Sequence, residues 1–305
     1  MSSKVAVLIL NWNGLEDTLA CLDSLYSIVY PDFEILLIDN ASTDASLQII
    51  PEKYPEIKLL SLPENLGFVG GNNTGMTYIK ENSSAEYILL LNNDTVVSPD
   101  FLTKLVQVME MDAHVGIVSP LTFYYDLPDT IWSAGGRIDH STWQTWMVNI
   151  GEKVFALVSN SVHPVDFVTG CCLLIRKSLI NEIGMLDERF FAYYEDVEWC
   201  YRASRAGKLI CLVPESKIWH KVSPDKRAAS PLVHYYMTRN RLLFMKIAGA
   251  NIFGFVRVIC FDYLRTILSW TIKPKWKNKK PMRRVMVRAI IDAAMGRWGK
   301  AINLS

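Results

Sequence analysis

Over the first 120 residues, short unbroken apolar runs alternate with segments whose apolar residues recur at helical spacing. This alternation constrains the fold more than any other feature of the chain. VAVLIL (5–10) has no polar position, so as a strand it must be covered on both faces. After Gly14, the residues Leu15, Leu19, Leu22, Leu25 or Tyr26, and Val29 recur at helical spacing. EILLID (34–39), IKLLSL (57–62), YILLLN (87–92) and VGIVSP (115–120) read as further strands, with ASLQII (45–50) a short helix among them. Ser98-Pro99-Asp100 reads as an N-cap, a proline at the first helical position and a first-turn acid, ahead of Leu102, Leu105, Val106 and Met109. Strands and helices in this order imply right-handed crossovers: an α/β fold with a mostly parallel central sheet flanked by helices.

In such a sheet, ligands bind at the carboxyl ends of the strands. Three of those ends are polar: Asn11-Trp12-Asn13-Gly14, Asp39-Asn40-Ala41-Ser42-Thr43-Asp44 and Asn92-Asn93-Asp94. All three should face one crevice. An acid closing a buried strand is costly unless something pairs with it. If the crevice takes a diphosphate, a divalent cation, Mn²⁺ or Mg²⁺, is expected there. Such an ion needs only one or two protein carboxylates. Asp94 suits that task, with Asn92 and Asn93 able to bond a ribose; the alternative is an acid that caps its own turn or the helix after Ser98. NLGFVGGNN (65–73) brings Asn65 and Gly71 towards the same edge. Its spacing is not the dinucleotide fingerprint, so a phosphate contact and a plain glycine-rich turn both stay open. His220, in IWHKVS, follows a strand and either completes a metal site or is a core or surface residue.

The middle of the chain changes character. Residues 121–165 carry Trp132, Trp143 and Trp146 with weak periodicity, which predicts short antiparallel strands. The tryptophans either line an acceptor groove or fill core. VTGCCLLIRK (168–177) reads as a strand, EDVEWCYRASRAG (195–207) as a helix stopped by Gly207, and LICLVP (209–214) as a strand. Glu195, Asp196 and Glu198 crowd the start of that helix. First-turn acids often only complement the dipole. A carboxylate there could also take a proton from an attacking hydroxyl, provided burial or acidic neighbours offset the dipole. KVSPDKRAAS (221–230) has loop composition, and helical patterns dominate from Pro231.

A formal net charge of +1 over 305 residues gives no global case for nucleic acid. The six cysteines show no C-x-x-C pair, which suits reduced thiols in a cytoplasmic protein. The N-terminal apolar run is short and shows no cleavage-site pattern, and no uncharged apolar run is long enough to span a bilayer. The C-terminal region is different. Residues 252–274 are strongly apolar but interrupted by Arg257, Asp262 and Arg265. From Lys273 to Lys300 ten Lys or Arg face one acid, Asp292. Either 252–300 touches an anionic membrane peripherally, or its helices pack on the rest of the chain or on a second subunit in a homodimer.

Taken together, VLILNWNG, IDNASTD, NLGFVGGNN, LLLNNDTVV, IWSAGG, GCCLLIRK, IGMLDERFFAYYEDVEWCYR and YYMTRNRLLF resemble family 2 glycosyltransferases, nearest to rhamnosyltransferase-like enzymes of bacterial cell-surface polysaccharide assembly. The resemblance covers about residues 4–245. It implies a GT-A fold over 1–220, with a nucleotide-binding part (about 1–120) and an acceptor part (about 121–220), followed by a helical basic extension over 221–305. It implies inverting transfer from a nucleoside-diphosphate sugar, dTDP-rhamnose being favoured, to a glycan or lipid-linked acceptor at the inner face of the cell membrane. Asp39 matches the family's base-contacting acid. Asn92-Asn93-Asp94 stands where the family carries Asp-x-Asp, so only Asp94 keeps a carboxylate. Glu195-Asp196 matches the pair that holds the catalytic base, assigned to Asp196 with Glu195 placing the acceptor. His220 matches a late histidine that often binds the metal. Arg239 and Arg241 could touch phosphate or acceptor, or be solvated. Two other readings compete: a sugar-nucleotide pyrophosphorylase, which should show a basic glycine-rich loop where NWNGLEDTL has none, and a non-catalytic nucleotide-sugar or carbohydrate-binding protein.

Overall fold

The computed structural model describes residues 2–154, 161–222 and 230–301. It divides into two compact units. One comprises Met1–Arg137, Trp146–Leu186 and Asp196–Val222; the other comprises Ile138–Thr145, Asp187–Glu195 and Ser223–Ser305.

The first unit is built on a large mixed sheet. Strands β1 (Val5–Asn11), β2 (Phe33–Asp39), β3 (Lys58–Ser61) and β4 (Tyr87–Asn92) run parallel in the order β4-β1-β2-β3. Helices α1 (Leu15–Leu25), α2 (Ser46–Lys53) and α3 (Gly67–Asn82) connect them. The register sets Asn11 opposite Asp39 and Leu10 opposite Asn92, so the three polar strand ends lie level. β1 is buried along almost its whole length, as an all-apolar run requires. Beyond β4 and its turn come the short strand β5 (Thr95–Val97) and helix α4 (Phe101–Met111), then β6 (Val115–Tyr124). Ser98 does not cap α4 through its hydroxyl, which bonds Asp100 at 3.0 Å. Its carbonyl accepts the Phe101 amide instead, and Asp100 takes the N-cap position.

The antiparallel excursion expected over 121–165 is β7 (Leu127–Ser133) on β6, a two-stranded sheet of β8 (Gly136–Asp139) and β9 (Gln144–Met147), and β10 (His163–Pro164). β11 (Cys172–Arg176) runs antiparallel between β4 and β6. It starts later than VTGCCLLIRK predicts because the Gly170 amide is bonded to a side chain, Asp196, rather than to a neighbouring strand. Helices α5 (Lys177–Ile183) and α6 (Glu195–Arg205) precede the last strand.

That strand, β12 (Leu209–His220), outruns the predicted 209–214. Its pairing with β6 breaks between Val213 and Lys217 and then resumes, and its last residues pair with β5, setting His220 opposite Thr95. Pro214 has no amide to give to a ladder, which favours a break at that point, and bulges of this kind re-aim the strand beyond them. The expectation that His220 merely follows a strand is therefore replaced: it is the last residue of one.

The second unit is largely helical, as the pattern after Pro231 predicts. Helix α7 (Pro231–Ile247) starts on Ser230, whose side chain accepts the Val233 amide, with Pro231 in the first turn. Ile252–Arg257 (α8), a π-helical stretch Val258–Leu264, and Arg265–Ile272 (α9) follow without a break, then Lys280–Ala294 (α10). Arg239 and Arg241 on α7 are buried, not solvated. Arg239 donates to the carbonyls of Gly299, Arg189 and Phe190 and lies over the rings of Tyr235 and Tyr236. Arg241 donates to the Thr142 carbonyl and to Asp262. These bonds make both arginines structural, in place of the phosphate or acceptor contact entertained above. All six cysteines are unpaired thiols. Among the described residues, no helix is long and apolar enough to cross a membrane.

Candidate active site

The site is built where β1, β2 and β4 end. Asn11 is fully buried and is the hub. Its Nδ2 donates to Asp39 (2.8 Å) and to Ser42 Oγ (3.2 Å). Its Oδ1 accepts from Gly14 N, Thr18 Oγ1 and Asn93 Nδ2. One side chain thus ties all three strand ends together. Asp39, also fully buried, accepts the Ser42 amide at 2.8 Å through its other oxygen. Both carboxylate oxygens are therefore engaged, one by Asn11 and the other by the loop after β2.

That loop folds back on Asn13, whose backbone is left-handed (φ 51°). The Asn13 side-chain oxygen Oδ1 accepts the amides of Thr43 (2.6 Å) and Asp44 (3.3 Å). Asp44 in turn accepts the Leu15 amide at 3.2 Å. It supplies the N-terminal partner that Gly14, which precedes α1, cannot. Gly14 is required for another reason: a Cβ there would lie 2.5 Å from Asn93 Nδ2. Asn40 bridges to the start of α3, donating to Asn65 Oδ1 and the Gly67 carbonyl and accepting the Leu66 amide.

Gly71 is a correction. It lies in α3, and a Cβ on it would sit 2.4 Å from a methyl of Leu10. It faces the sheet rather than a phosphate, and it is glycine so that helix and strand can approach. Gly71→Ala should therefore cost about 1–3 kcal/mol of stability through overpacking. Nucleotide affinity of the folded protein should stay unchanged; urea unfolding and calorimetry measure the two separately.

Beyond β4 the chain turns through Asn92-Asn93-Asp94. Asn93 donates to Thr18 Oγ1 at 2.9 Å. Asp94 Oδ1 lies 3.0 Å from His220 Nε2. The next residue, Lys221, donates its amide to the Asp94 carbonyl at 2.8 Å and its Nζ to Asp17. His220 is held under Trp132, edge to face at 4.5 Å, with Cys171 beside it. Burial opposes the imidazolium, but the Asp94 carboxylate and a hydrogen bond to Cys171 outweigh it and raise His220 above its ordinary value. Burial raises Cys171 above its ordinary thiol value, so that thiol stays neutral and Asp94 carries the charge. Burial likewise works against the Asp94 carboxylate, and the neighbouring imidazole holds it below its ordinary value.

The residues fit a divalent cation once His220 gives up its proton, because only a neutral imidazole can ligate a metal. Asp94 and His220 are in contact, yet Asp94 Oδ1 and His220 Nδ1 are buried without an aligned hydrogen-bond partner among the described residues. No group of three or more His, Cys, Asp or Glu that could hold a metal occurs among the described residues. A site with two protein ligands is complete only when phosphate oxygens and water fill the rest, which is the way magnesium is usually held beside a nucleotide.

Asp196 is linked to this edge through two residues. Its Oδ2 accepts the Gly170 amide (3.0 Å), and its Oδ1 accepts the Val197 amide (2.8 Å). The adjacent Cys171 lies against His220, and its carbonyl accepts the Asn92 amide at 2.8 Å. Phe68 covers Gly170, where a Cβ would lie 2.8 Å from the ring. Glu198, the third acid of the cluster, is buried and held by Arg202 through both oxygens at 2.7 Å, so its role is structural. Glu195 is buried. Ahead of it Phe191, Tyr193 and Tyr194 all have positive φ, and Asn240 pins this turn by donating to the carbonyls of Phe190, Ala192 and Tyr193. Such strained backbone persists only where its surroundings over-determine it. Of the tryptophans, Trp132 is buried against His220, Trp143 packs on Phe244, and Trp146 is half exposed. A cleft of about 730 Å³ lies wholly in the second unit, lined by residues such as Arg241, Phe261, Trp270 and Trp276, and holds none of these strand-end groups.

The sequence profile of Glycosyl transferase family 2 matches residues 6–184. The chain belongs to this family. The match spans β1 to α5 and so includes the ends of β1, β2 and β4, while Asp196 and His220 lie beyond it. This family 2 glycosyltransferase is 27% identical over 80% of its length to the low-salt glycan biosynthesis hexosyltransferase Agl10 of Haloferax volcanii, covering 76% of that protein. It is 23% identical to the dTDP-rhamnosyl transferase RfbF of Shigella flexneri, over 98% of both chains. Among solved structures, GalNAc-T7 with UDP, GalNAc and Mn²⁺ superposes with a TM-score of 0.63 at 15% identity, over 97% of this chain and 58% of that one. The mannosyltransferase PcManGT from Pyrobaculum calidifontis, with GDP-Man and Mn²⁺, gives 0.61 at 13% identity, over 97% and 88%. These likenesses establish the GT-A fold. Family membership displaces the pyrophosphorylase and non-catalytic readings.

Proposed function

We propose that this glycosyltransferase moves a sugar, with inversion, from a nucleoside-diphosphate sugar to a hydroxyl of a glycan or lipid-linked acceptor in cell-surface polysaccharide synthesis. The relatives favour dTDP-rhamnose as donor: four carry rhamnosyl transfer in their names. The observation that carries the reading is the Asp94–His220 contact, level with the Asn11–Asp39–Asn93 network at the strand ends.

Asn13, Asn65 and Asn92 would line the nucleoside, while Asn11 and Asp39 hold the loop that presents it. Asp94 and His220, the latter after giving up its proton, would hold Mn²⁺ or Mg²⁺, which when bound neutralises the leaving diphosphate. Asp196 would accept the proton of the acceptor hydroxyl as its oxygen attacks the anomeric carbon. The bond from that carbon to the diphosphate breaks, and its electron pair leaves with the phosphate. Glu195 would place the acceptor. The loop 221–230 is expected to close over the donor, but residues 223–229 lie outside the described residues.

A calorimetric titration with dTDP tests this. With Mn²⁺ present, Asp94→Ala should bind on the order of 10-fold or more weakly than the wild type, as loss of a charge-carrying ligand implies. Without metal the two should differ little. Equal affinities in Mn²⁺ would reduce Asp94 to a turn cap.

A further inference from the structure

One face of the second unit carries a pattern that sugar transfer does not use. From Ile252 to Ile272 the chain is helical without interruption, a run of roughly 30 Å at 1.5 Å per residue. Along it Ile252, Val256, Cys260, Leu264, Leu268 and Ile272 recur at intervals of four, and every one is exposed. Phe253 and Phe261 stand beside them, 80% and 67% exposed.

A spacing of four drifts about 40° per step round an α-helix, so such a row would wind away from any flat surface. The π-helical stretch Val258–Leu264 lies in the middle of the row. A π turn takes in about one extra residue, which sets back much of the drift. The two ends of the row are thereby kept nearer one face. Core packing does not account for the row, because the inward positions of the same run are others: Val258 and Tyr263 are buried and pack with Leu242 and Met286.

The charges name what covers the face. Residues 252–280 contain seven Lys or Arg and a single acid, Asp262. That acid is engaged by Arg241 at 2.7 Å. Arg257, Arg265, Lys273 and Lys275 are exposed beside the apolar row. Arg257 makes one long bond, 3.3 Å to Ser141 Oγ. A second copy of the chain fits poorly, since an antiparallel two-fold pairing centred on Phe261 sets arginines against arginines. An anionic lipid surface is complementary on both counts: phosphates for the flanking cations and acyl chains for the row.

We infer that the Ile252–Ile272 helix lies flat in the interface of an anionic bilayer. Its row of exposed aliphatic and phenylalanine side chains enters the acyl boundary, and the flanking cations bind lipid phosphate. This deepens the lipid-linked acceptor reading without depending on it, because the test measures vesicle binding with no transfer.

The full chain is sedimented with phosphatidylcholine vesicles, with and without phosphatidylglycerol, at low and high salt. The wild type should pellet with the anionic vesicles and release partly as salt rises. Arg257→Glu with Arg265→Glu should weaken binding by about 30-fold or more, at about 5-fold for each cation lost near the surface. Phe253→Ser with Phe261→Ser should weaken it on the order of 100-fold even at low salt. Both residues are exposed, so melting curves and dTDP binding should match the wild type and rule out misfolding. A failure of donor binding in the wild type would fault the functional reading and leave the vesicle result standing. A wild type that ignores anionic vesicles overturns the inference. So does a dimer in ultracentrifugation that the phenylalanine substitutions dissociate.

Discussion

Asp196→Asn should lower sugar transfer by about 10²–10⁴-fold, the usual worth of a general base, while dTDP affinity and the unfolding midpoint stay close to wild type. The substitution keeps the size of the side chain and one acceptor oxygen of the two that receive the Gly170 and Val197 amides. What it removes is the capacity to take a proton. Donor consumption with an oligosaccharide acceptor, followed beside calorimetry, separates the two effects. Turnover near the wild-type rate would move the base elsewhere, and Glu195→Gln would then be the variant to compare.

Arg202→Met should cost about 3 kcal/mol of stability, because it strands the buried Glu198 carboxylate. Arg202 engages both oxygens of Glu198 and also donates to the carbonyls of Ile183 and Met185. Methionine keeps most of the volume and none of the donors. Removing the charge as well, with Glu198→Leu in the double variant, should recover a large part of the loss, since an apolar pair can replace a buried ion pair. Urea unfolding measures both. A single-variant loss under about 1 kcal/mol, the size of an exposed pair, would show that water reaches the carboxylate.

The parallel half of the sheet was legible because its strands are apolar on both faces and end abruptly in polar residues. VAVLIL followed by Asn11 states where a strand stops and where a crevice begins. What periodicity does not encode is which polar groups serve each other. Thr18 sits on the inward face of α1 among leucines, and a hydroxyl there signals a partner; its partners are Asn11 and Asn93. Ser42 and Asp44 lay within the polar run after Asp39, but nothing in that run showed that they bond Asn11, Asn13 and the start of α1. Gly71 misled because glycine serves close helix packing and phosphate approach equally well, and only the position of Leu10 separates the two. The acids 195, 196 and 198 looked equivalent as a cluster. Arg202, four residues past Glu198, was visible in the sequence and marks Glu198 as the ion-paired member.

The break in β12 between Val213 and Lys217 has a consequence for how this chain can change in length. Before it the strand follows β6 in the core; after it the strand carries His220 to Asp94. Glu215, within the break, is exposed and has no ladder partner on β6. An added residue there can be absorbed locally, leaving both halves in register. An added residue between Lys217 and His220 cannot be absorbed, because side chains alternate faces along a paired strand. It would carry the imidazole to the opposite face of the sheet, away from Asp94. Related chains can therefore differ by insertions at 214–216 while keeping the histidine in place, whereas a single insertion four residues later abolishes the pair without altering any residue in it.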